Sequence, residues 1–216
     1  PIMGFHTELI FVDGNSQDGT PLEIERVIKN YPKRDIKLIH QGNGIGKGDA
    51  VRKGFSEASG DILMILDADL TVPPEDLPKF FNALIEGKGE FINGTRLVYP
   101  MEDQAMRFLN LLGNKFFSMA FTWLLEQRLR DTLCGTKVLF QTDYIKITKG
   151  RSFFGDFDPF GDFDLLFGAA KQHLKIVEVP IRYRERTYGS TNISRFTHGW
   201  LLLKMCGVAL KKLKFV

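Results

Sequence analysis

The run Ile62-Leu63-Met64-Ile65-Leu66-Asp67-Ala68-Asp69 decides the reading of this chain. An unbroken apolar segment followed at once by two carboxylates reads as a strand buried on both faces that delivers acids to its carboxyl end. Working outward from this strand, counted from Asp61 to Leu66, the stretches Glu8 to Val12, Ile36 to His40 and Glu90 to Asn93 read as further short buried strands. Helical patterns lie between them, over Leu22 to Asn30, Gly48 to Ala58 and Pro74 to Glu86. The last opens on Pro73-Pro74 with Glu75 and Asp76 in its first turn, as a helix N-terminus prefers. Strand and helix alternating at this spacing predict an α/β fold with a mostly parallel, helix-covered central sheet. Ligands of such sheets bind beyond the carboxyl ends of the strands. That rule points to Asp13, Gln41 to Lys47, Asp67 to Asp69, and Gly94 to Arg96.

The second half loses this rhythm. It reads as a long apolar helix from Met106 to Arg128, a strand over Lys137 to Phe140, a Gly/Asp/Phe-rich loop from Phe153 to Phe163, a strand over Ile176 to Tyr183 and a final helix. The loop repeats itself locally, as Gly155-Asp156-Phe157-Asp158 and Gly161-Asp162-Phe163-Asp164.

At 216 residues, 44% hydrophobic and 25% charged, the chain suits one globular domain. Its net charge of +3, with acids and bases intermixed, does not mark a nucleic-acid binder. Cys134 and Cys206 form no disulfide framework and no zinc motif, which points to a reducing compartment. No stretch reaches the roughly 20 apolar residues that span a bilayer, and Pro1 to His6 does not read as a signal peptide.

Alternate residues of an extended segment point the same way, so Asp67 and Asp69 can aim at one point. Such an oxygen site suits a hard cation, Mg²⁺ or Mn²⁺, with positions left open for a diphosphate. The competing reading of the pair is a loop or helix cap. Asp13, followed by Ser16-Gln17-Asp18-Gly19-Thr20, can accept hydrogen bonds from a base or ribose, or can serve an Asx-turn ahead of an N-cap at Thr20. Gly42-Asn43-Gly44-Ile45-Gly46-Lys47-Gly48 can present backbone N–H groups to phosphate. It is not a Walker A, because Gly48 stands where Ser or Thr is required.

Together these pieces resemble glycosyltransferase family 2, and within it the dolichyl- or polyprenyl-phosphate sugar transferases. The resemblance runs along nearly the whole chain: Asp13 with Ser16 to Thr20, Gly44 to Gly48 and Gly54, Ser59-Gly60-Asp61, Asp67-Ala68-Asp69-Leu70 with Pro73-Pro74-Glu75, Gly94-Thr95-Arg96, Asp131 with Cys134-Gly135, and Glu178-Val179-Pro180 with Arg186. It implies a single GT-A domain over 1–216, with a nucleotide-sugar half over about 1–97 and an acceptor- and membrane-facing half over about 98–216. It also implies inverting transfer from a UDP- or GDP-sugar with Mg²⁺ or Mn²⁺. By the same resemblance Asp13 faces the nucleobase, Lys47 and Arg96 contact the donor, Asp67 and Asp69 hold metal and diphosphate, and Arg107, Lys137 and Arg186 meet phosphate on the acceptor side. Asp162 and Asp164 line the acceptor side, and either can act as general base for a hydroxyl acceptor.

The sequence also departs from the family. The opening strand, Val-Ile-Pro-x-Tyr-Asn-Glu, is missing, so a fragment of a larger parent chain is expected. Thr71 replaces a Gln, Cys134-Gly135-Thr136-Lys137 replaces Ser-Gly-x-Arg, and Gly189-Ser190-Thr191-Asn192 replaces Gly-x-Ser-Lys. These changes bear on the lipid-phosphate acceptor more than on sugar transfer. Cys134 is expected to pack rather than attack, since inversion is a single displacement.

On the Met106 to Arg128 helix, Asn110, Asn114, Ser118 and Thr122 form a narrow polar stripe within an apolar surface. The final helix sets Lys204, Gly207, Lys211 and Lys214 beside Trp200, Leu201, Met205, Val208 and Leu213. Such helices can lie in a bilayer interface, or else pack on the sheet. The expectation is therefore a transferase peripheral to the cytoplasmic membrane face, acting on a membrane-presented acceptor, with a homo-oligomer open. The alternatives are a nucleotidyltransferase and a non-catalytic membrane- or partner-binding module.

Overall fold

The computed structural model describes residues 3–96, 108–150, 161–182, 184 and 195–214. Strands β1 (Glu8–Asp13) and β2 (Asp35–His40) flank helix α1 (Thr20–Asn30), and helix α2 (Gly46–Ser56) leads to β3 (Ile62–Met64). A 3-10 turn over Pro74–Asp76 precedes α3 (Leu77–Ile85), then come β4 (Phe91–Thr95), α4 (Phe108–Leu125), β5 (Lys137–Phe140) and α5 (Gln141–Lys149). The described chain closes with α6 (Asp162–Lys171), β6 (Ile176–Pro180) and α7 (Arg195–Lys214).

The longest pairings are parallel, β1 with β2 and β4 with β6, as the alternation of strand and helix requires. β5 is inserted antiparallel between β3 and β4, giving the order β3-β5-β4-β6. Its short sequence carries no signal of direction, which long-range pairing decides. Among the described residues β1 and β2 form a sheet of their own. Glu8 holds it to the rest: its carboxylate accepts hydrogen bonds from the Ser59 and Gly60 amides at 2.6 and 2.8 Å and from Lys37 at 2.9 Å.

The side chains of the larger sheet alternate between two cores, as the pleat demands. Leu63, Phe91 and Leu139 point into a cluster with Phe117, Phe121, Phe163, Phe167 and Met205, supplied by α4, α6 and α7. Ile92 and Val138 point the other way, onto Phe80 and Leu84 of α3. The α3 face Leu77, Phe80, Phe81, Leu84 recurs at helical spacing and is buried throughout. In the first cluster Phe121 stacks on Phe167 with centroids 5.2 Å apart. α1, by contrast, buries none of its residues. It is held by local chemistry instead, with Pro21 in its first turn and the Thr20 amide donating to Asp18 at 2.9 Å.

The polar stripe on α4 turns inward where it is described. The Ser118 and Thr122 hydroxyls both donate to the Leu129 carbonyl, and Thr122 Oγ1 accepts from the Leu129 amide at 3.0 Å. They tie back the turn at Glu126, whose φ is 56°. Phe116, Met119 and Trp123 are left facing out. The periodic pattern gave no sign of α5. The expected Gly/Asp/Phe loop lies outside the described residues up to position 160; of its last part, Gly161 caps α6, which takes up Asp162 and Phe163.

Candidate active site

Three segments far apart in sequence meet beyond the carboxyl end of β3. Lys47 stands in the first turn of α2, Asp67 follows β3, and Gly135 precedes β5. Lys47 Nζ lies 2.8 Å from Asp67 Oδ1. Gly135 is the floor of this contact. A Cβ added there would stand 2.1 Å from Asp67 Oδ2 and 2.3 Å from Lys47 Nζ, so a side chain at this position would push the pair aside. Burial pulls the Lys47 ammonium toward deprotonation, but the charges of Asp162 and Asp67 outweigh it and raise its pKa, so the group stays a cation.

Asp162 reaches the site through a pair of glycines. Gly161, at φ +73°, packs so closely on α2 that an added Cβ would lie 2.6 Å from Gly48 Cα. This backbone-to-backbone contact brings the start of α6 beside the start of α2. Asp162 then accepts from Lys137 Nζ at 2.6 Å, while the same ammonium donates to the Cys134 carbonyl at 2.5 Å. Lys137 is 0% exposed, and Asp162 is buried beside it. Expected to meet an acceptor phosphate, Lys137 here neutralises Asp162. Asp164 faces Arg52 instead, at 3.6 Å.

Asp67 and Asp69 are held by a turn. β3 ends at Met64, the Leu70 amide donates to the Asp67 carbonyl at 3.1 Å, and Leu70 has a φ of 53°. Asp69 Oδ1 accepts from the amide and hydroxyl of Thr71 at 3.1 and 2.9 Å. Their shared aim in an extended segment is thus replaced by turn geometry, because strand pairing gives out before the acids are reached. Among the described residues no group of three or more His, Cys, Asp or Glu gathers to hold a metal. The donor set still fits a hard cation. It offers carboxylate oxygens only, one of them already beside a positive charge, and a diphosphate can complete the coordination.

At the end of β1, Asp13 is buried and accepts the Ser16 amide at 3.2 Å. Hydrogen bonds from Ser16 hold its pKa below the usual carboxylate value against the effect of burial. His40 Nδ1 stands 3.5 Å away and forms an ion pair with Asp13 when protonated. The glycine loop is fastened by Gln41, which donates to the Gly46 carbonyl at 2.8 Å and to Asp49 at 3.0 Å. Gly44 leaves the room that the Asp49 carboxylate occupies, since an added Cβ would fall 1.7 Å from Asp49 Oδ2 and displace that side chain.

Arg96, expected at the diphosphate, forms a two-pronged pair with Asp131, Nε to Oδ2 at 2.6 Å and an Nη to Oδ1 at 2.7 Å. Burial works against the Asp131 anion, yet Arg96 holds its pKa low. Asn93 donates to the Asp131 carbonyl, and Glu178 accepts the Arg130 and Asp131 amides. Burial raises the Glu178 pKa. This polar knot fixes the loop that ends at Gly135. Burial also pushes the Cys134 thiol up to about 11, which keeps it protonated and unreactive. Arg107 and Arg186 lie outside the described residues.

The roles of Asp131 and Glu178 as anchors of that loop, and the Gly48 to Gly161 contact, are what reading the residues one by one misses. The repeated Gly-Asp-Phe-Asp was the available signal for the second.

The sequence profile described as Glycosyl transferase family 2 matches residues 4–153. The chain belongs to glycosyl transferase family 2. It is 28% identical over 223 aligned positions to a dolichol-phosphate mannosyltransferase of Pyrococcus furiosus, covering 99% of this chain and 60% of that protein. Over 96 residues it is 44% identical to the Saccharomyces cerevisiae dolichol-phosphate mannosyltransferase, covering 44% of this chain and 34% of the yeast protein. The chain thus spans from about a third to three-fifths of the length of these curated relatives. Its fold is that of the GT-A transferases. Glucosyl-3-phosphoglycerate synthase from Mycobacterium tuberculosis, solved with Mn²⁺, UDP and glucosyl-3-phosphoglycerate, superimposes with a TM-score of 0.65 at 16% identity over 95% of this chain and 68% of that one. A Pyrobaculum calidifontis mannosyltransferase with GDP-Man and Mn²⁺ gives 0.56 at 18% identity, covering 89% and 50%. Among the described residues of this family 2 chain, no helix is long and apolar enough to cross a membrane.

Proposed function

We propose that this family 2 chain is the catalytic part of an inverting transferase that moves a sugar from a UDP- or GDP-sugar to a polyprenyl phosphate at the cytoplasmic membrane face. The observation that carries the reading is the meeting of Lys47, Asp67 and Gly135 beside Asp162, which gathers phosphate-binding and metal-binding chemistry at one strand end. In this reading Asp67 and Asp69 hold Mg²⁺ or Mn²⁺, which supplies charge stabilisation to the departing diphosphate. Asp13 faces the base, and the amides that open α2 face the diphosphate. Asp162, hydrogen-bonded by Lys137, faces the acceptor, with Asp164 behind it. An ionised lipid phosphate needs no strong base, so Asp162 then orients rather than deprotonates. Arg96 reaches the diphosphate from its Asp131 anchor, Arg107 and Arg186 serve the acceptor phosphate, and buried Lys137 acts there only by holding Asp162. The likeness to dolichol-phosphate mannosyltransferases supports the acceptor class.

Membrane presentation is supported by α4 and α7. Phe116, Met119 and Trp123 are exposed on α4, and Trp200 and Leu203 on α7, with Lys115, Lys204 and Lys211 exposed beside them. Aromatic residues edged by lysines suit an anionic lipid interface.

The test is a thermal-shift screen with UDP, GDP and their sugars, in Mn²⁺ or in EDTA, since a ligand of the native state raises apparent stability. A Mn²⁺-dependent shift with one nucleotide, abolished in Asp67→Asn, is expected. Equal shifts in EDTA would refute the metal assignment, and release of pyrophosphate during turnover would point to nucleotidyl transfer.

A further inference from the structure

The chain's own cation stands where a metal would be held. Lys47 Nζ is 2.8 Å from Asp67 Oδ1, with the Asp162 charge also acting on it. Its place in the helix is unfavourable on general grounds. The first turn of a helix repels cations, and α2 carries Lys47 directly after its opening Gly46. Two carboxylates from other segments compensate for that, and Gly135 leaves open the space in which they do so.

We propose that Lys47 competes with a divalent cation for Asp67, so that metal binding becomes conditional on the arrival of a diphosphate. This rests on the donor-site reading above. An ammonium at hydrogen-bond distance from a carboxylate oxygen repels a dication bound to the same carboxylate. A nucleoside diphosphate removes the conflict by bringing its own negative charge to the N-terminus of α2. There it offers Lys47 a second anion and the metal further oxygen ligands. The lysine stem is unbranched and rises between Gly46, at φ +79°, and Gly48, so the ammonium can pass from Asp67 to a phosphate without moving α2. The consequence is an order of binding. Metal alone binds weakly, nucleotide recruits it, and by linkage metal tightens nucleotide by the same factor.

The experiment is a Mn²⁺ titration of the full chain followed by the electron paramagnetic resonance signal of free Mn²⁺, without nucleotide and with UDP or GDP in separate arms. The variants are Lys47→Met and Lys47→Arg, with circular dichroism confirming the fold. For the unaltered chain we expect weak Mn²⁺ binding that one nucleotide tightens. Lys47→Met is expected to tighten Mn²⁺ without nucleotide by about tenfold or more, equivalent to about 1.4 kcal/mol, and to shrink the nucleotide effect correspondingly. Lys47→Arg keeps a cation at the site and is expected to retain the weak metal binding and the strong coupling. Unchanged or weaker Mn²⁺ binding by Lys47→Met, with nucleotide still recruiting Mn²⁺, overturns the competition and leaves the donor site standing. Absence of Mn²⁺ binding by every form even with nucleotide overturns both.

Discussion

Replacing Asp162 by Asn tests the most heavily buried electrostatic contact of the site. Lys137 is 0% exposed, and its ammonium is held by Asp162 at 2.6 Å and the Cys134 carbonyl at 2.5 Å. The amide keeps the shape of the carboxylate but removes its charge, which leaves an ammonium in the core with neutral partners. Breaking a buried pair in this way costs about 3–5 kcal/mol. For a chain of this length each kcal/mol lowers Tm by about 2–4 °C, so a fall of about 6–20 °C is expected. Lys137→Met is expected to cost less, because Asp162 lies in the first turn of α6, where the helix favours an anion, and still feels the charge of Lys47. The double variant Lys137→Met/Asp162→Asn removes both charges and should recover to within about 1 kcal/mol of the unaltered chain. Urea unfolding of the four proteins, with thermal melts as a second probe, closes the cycle. A loss below about 1 kcal/mol for Asp162→Asn, or costs that simply add in the double variant, would refute a coupled buried pair.

Gly161→Ala should destabilise by about 2–4 kcal/mol, from the left-handed backbone and from overpacking against backbone that cannot yield; its Cβ would sit 2.6 Å from Gly48 Cα at φ +73°. A melt matching that of the unaltered chain would show that α2 and α6 do not meet there. Glu8 carries a pH dependence. Burial pushes its carboxyl up, but Lys37, Ser59 and Gly60 outweigh that and hold it at about 2. Its folded pKa lies below its unfolded value of 4.5, so its contribution is complete above pH 4.5 and is lost as pH falls toward about 2. With Lys37 partly exposed, the contribution is about 1–2 kcal/mol. Stability measured from pH 6 to pH 2 should therefore fall less steeply in Glu8→Gln, and parallel curves would show that Glu8 does not tie β1 to the Ser59-Gly60 turn.

Much of the first half was legible because local physics and tertiary demands agree there. The run from Ile62 to Leu66 is apolar because both faces of its sheet are covered, and Pro74, Glu75 and Asp76 announce a helix start that the fold uses. The glycines of the 42–48 loop mark the turn that leads into α2. Their spacing did not reveal that Gly44 makes room for Asp49, or that Gly161 packs against Gly48. Asp67 and Asp69 are placed by a turn and not by an extended segment, because alternation holds only while a strand is paired and β3 stops at Met64. Arg96 and Lys137 were singled out as phosphate contacts, and in the structure each meets a carboxylate. Their partners, Asp131 and Asp162, lie 35 and 25 positions away and follow no periodic rule.

What this sequence by itself determined is the alternating α/β layout and the placing of Asp13 and Asp67 just beyond strands, with a glycine-rich turn opening α2. Those follow from hydrophobic periodicity, capping and turn chemistry, which act within a few residues. Only the tertiary structure decided that β5 runs antiparallel between β3 and β4, that the inner polar face of α4 binds the Leu129 turn, and that Lys47, Asp67, Gly135 and Asp162 share one place. Those outcomes depend on which distant segments pack together, and a charge or a missing Cβ acquires its meaning from the neighbour that packing brings.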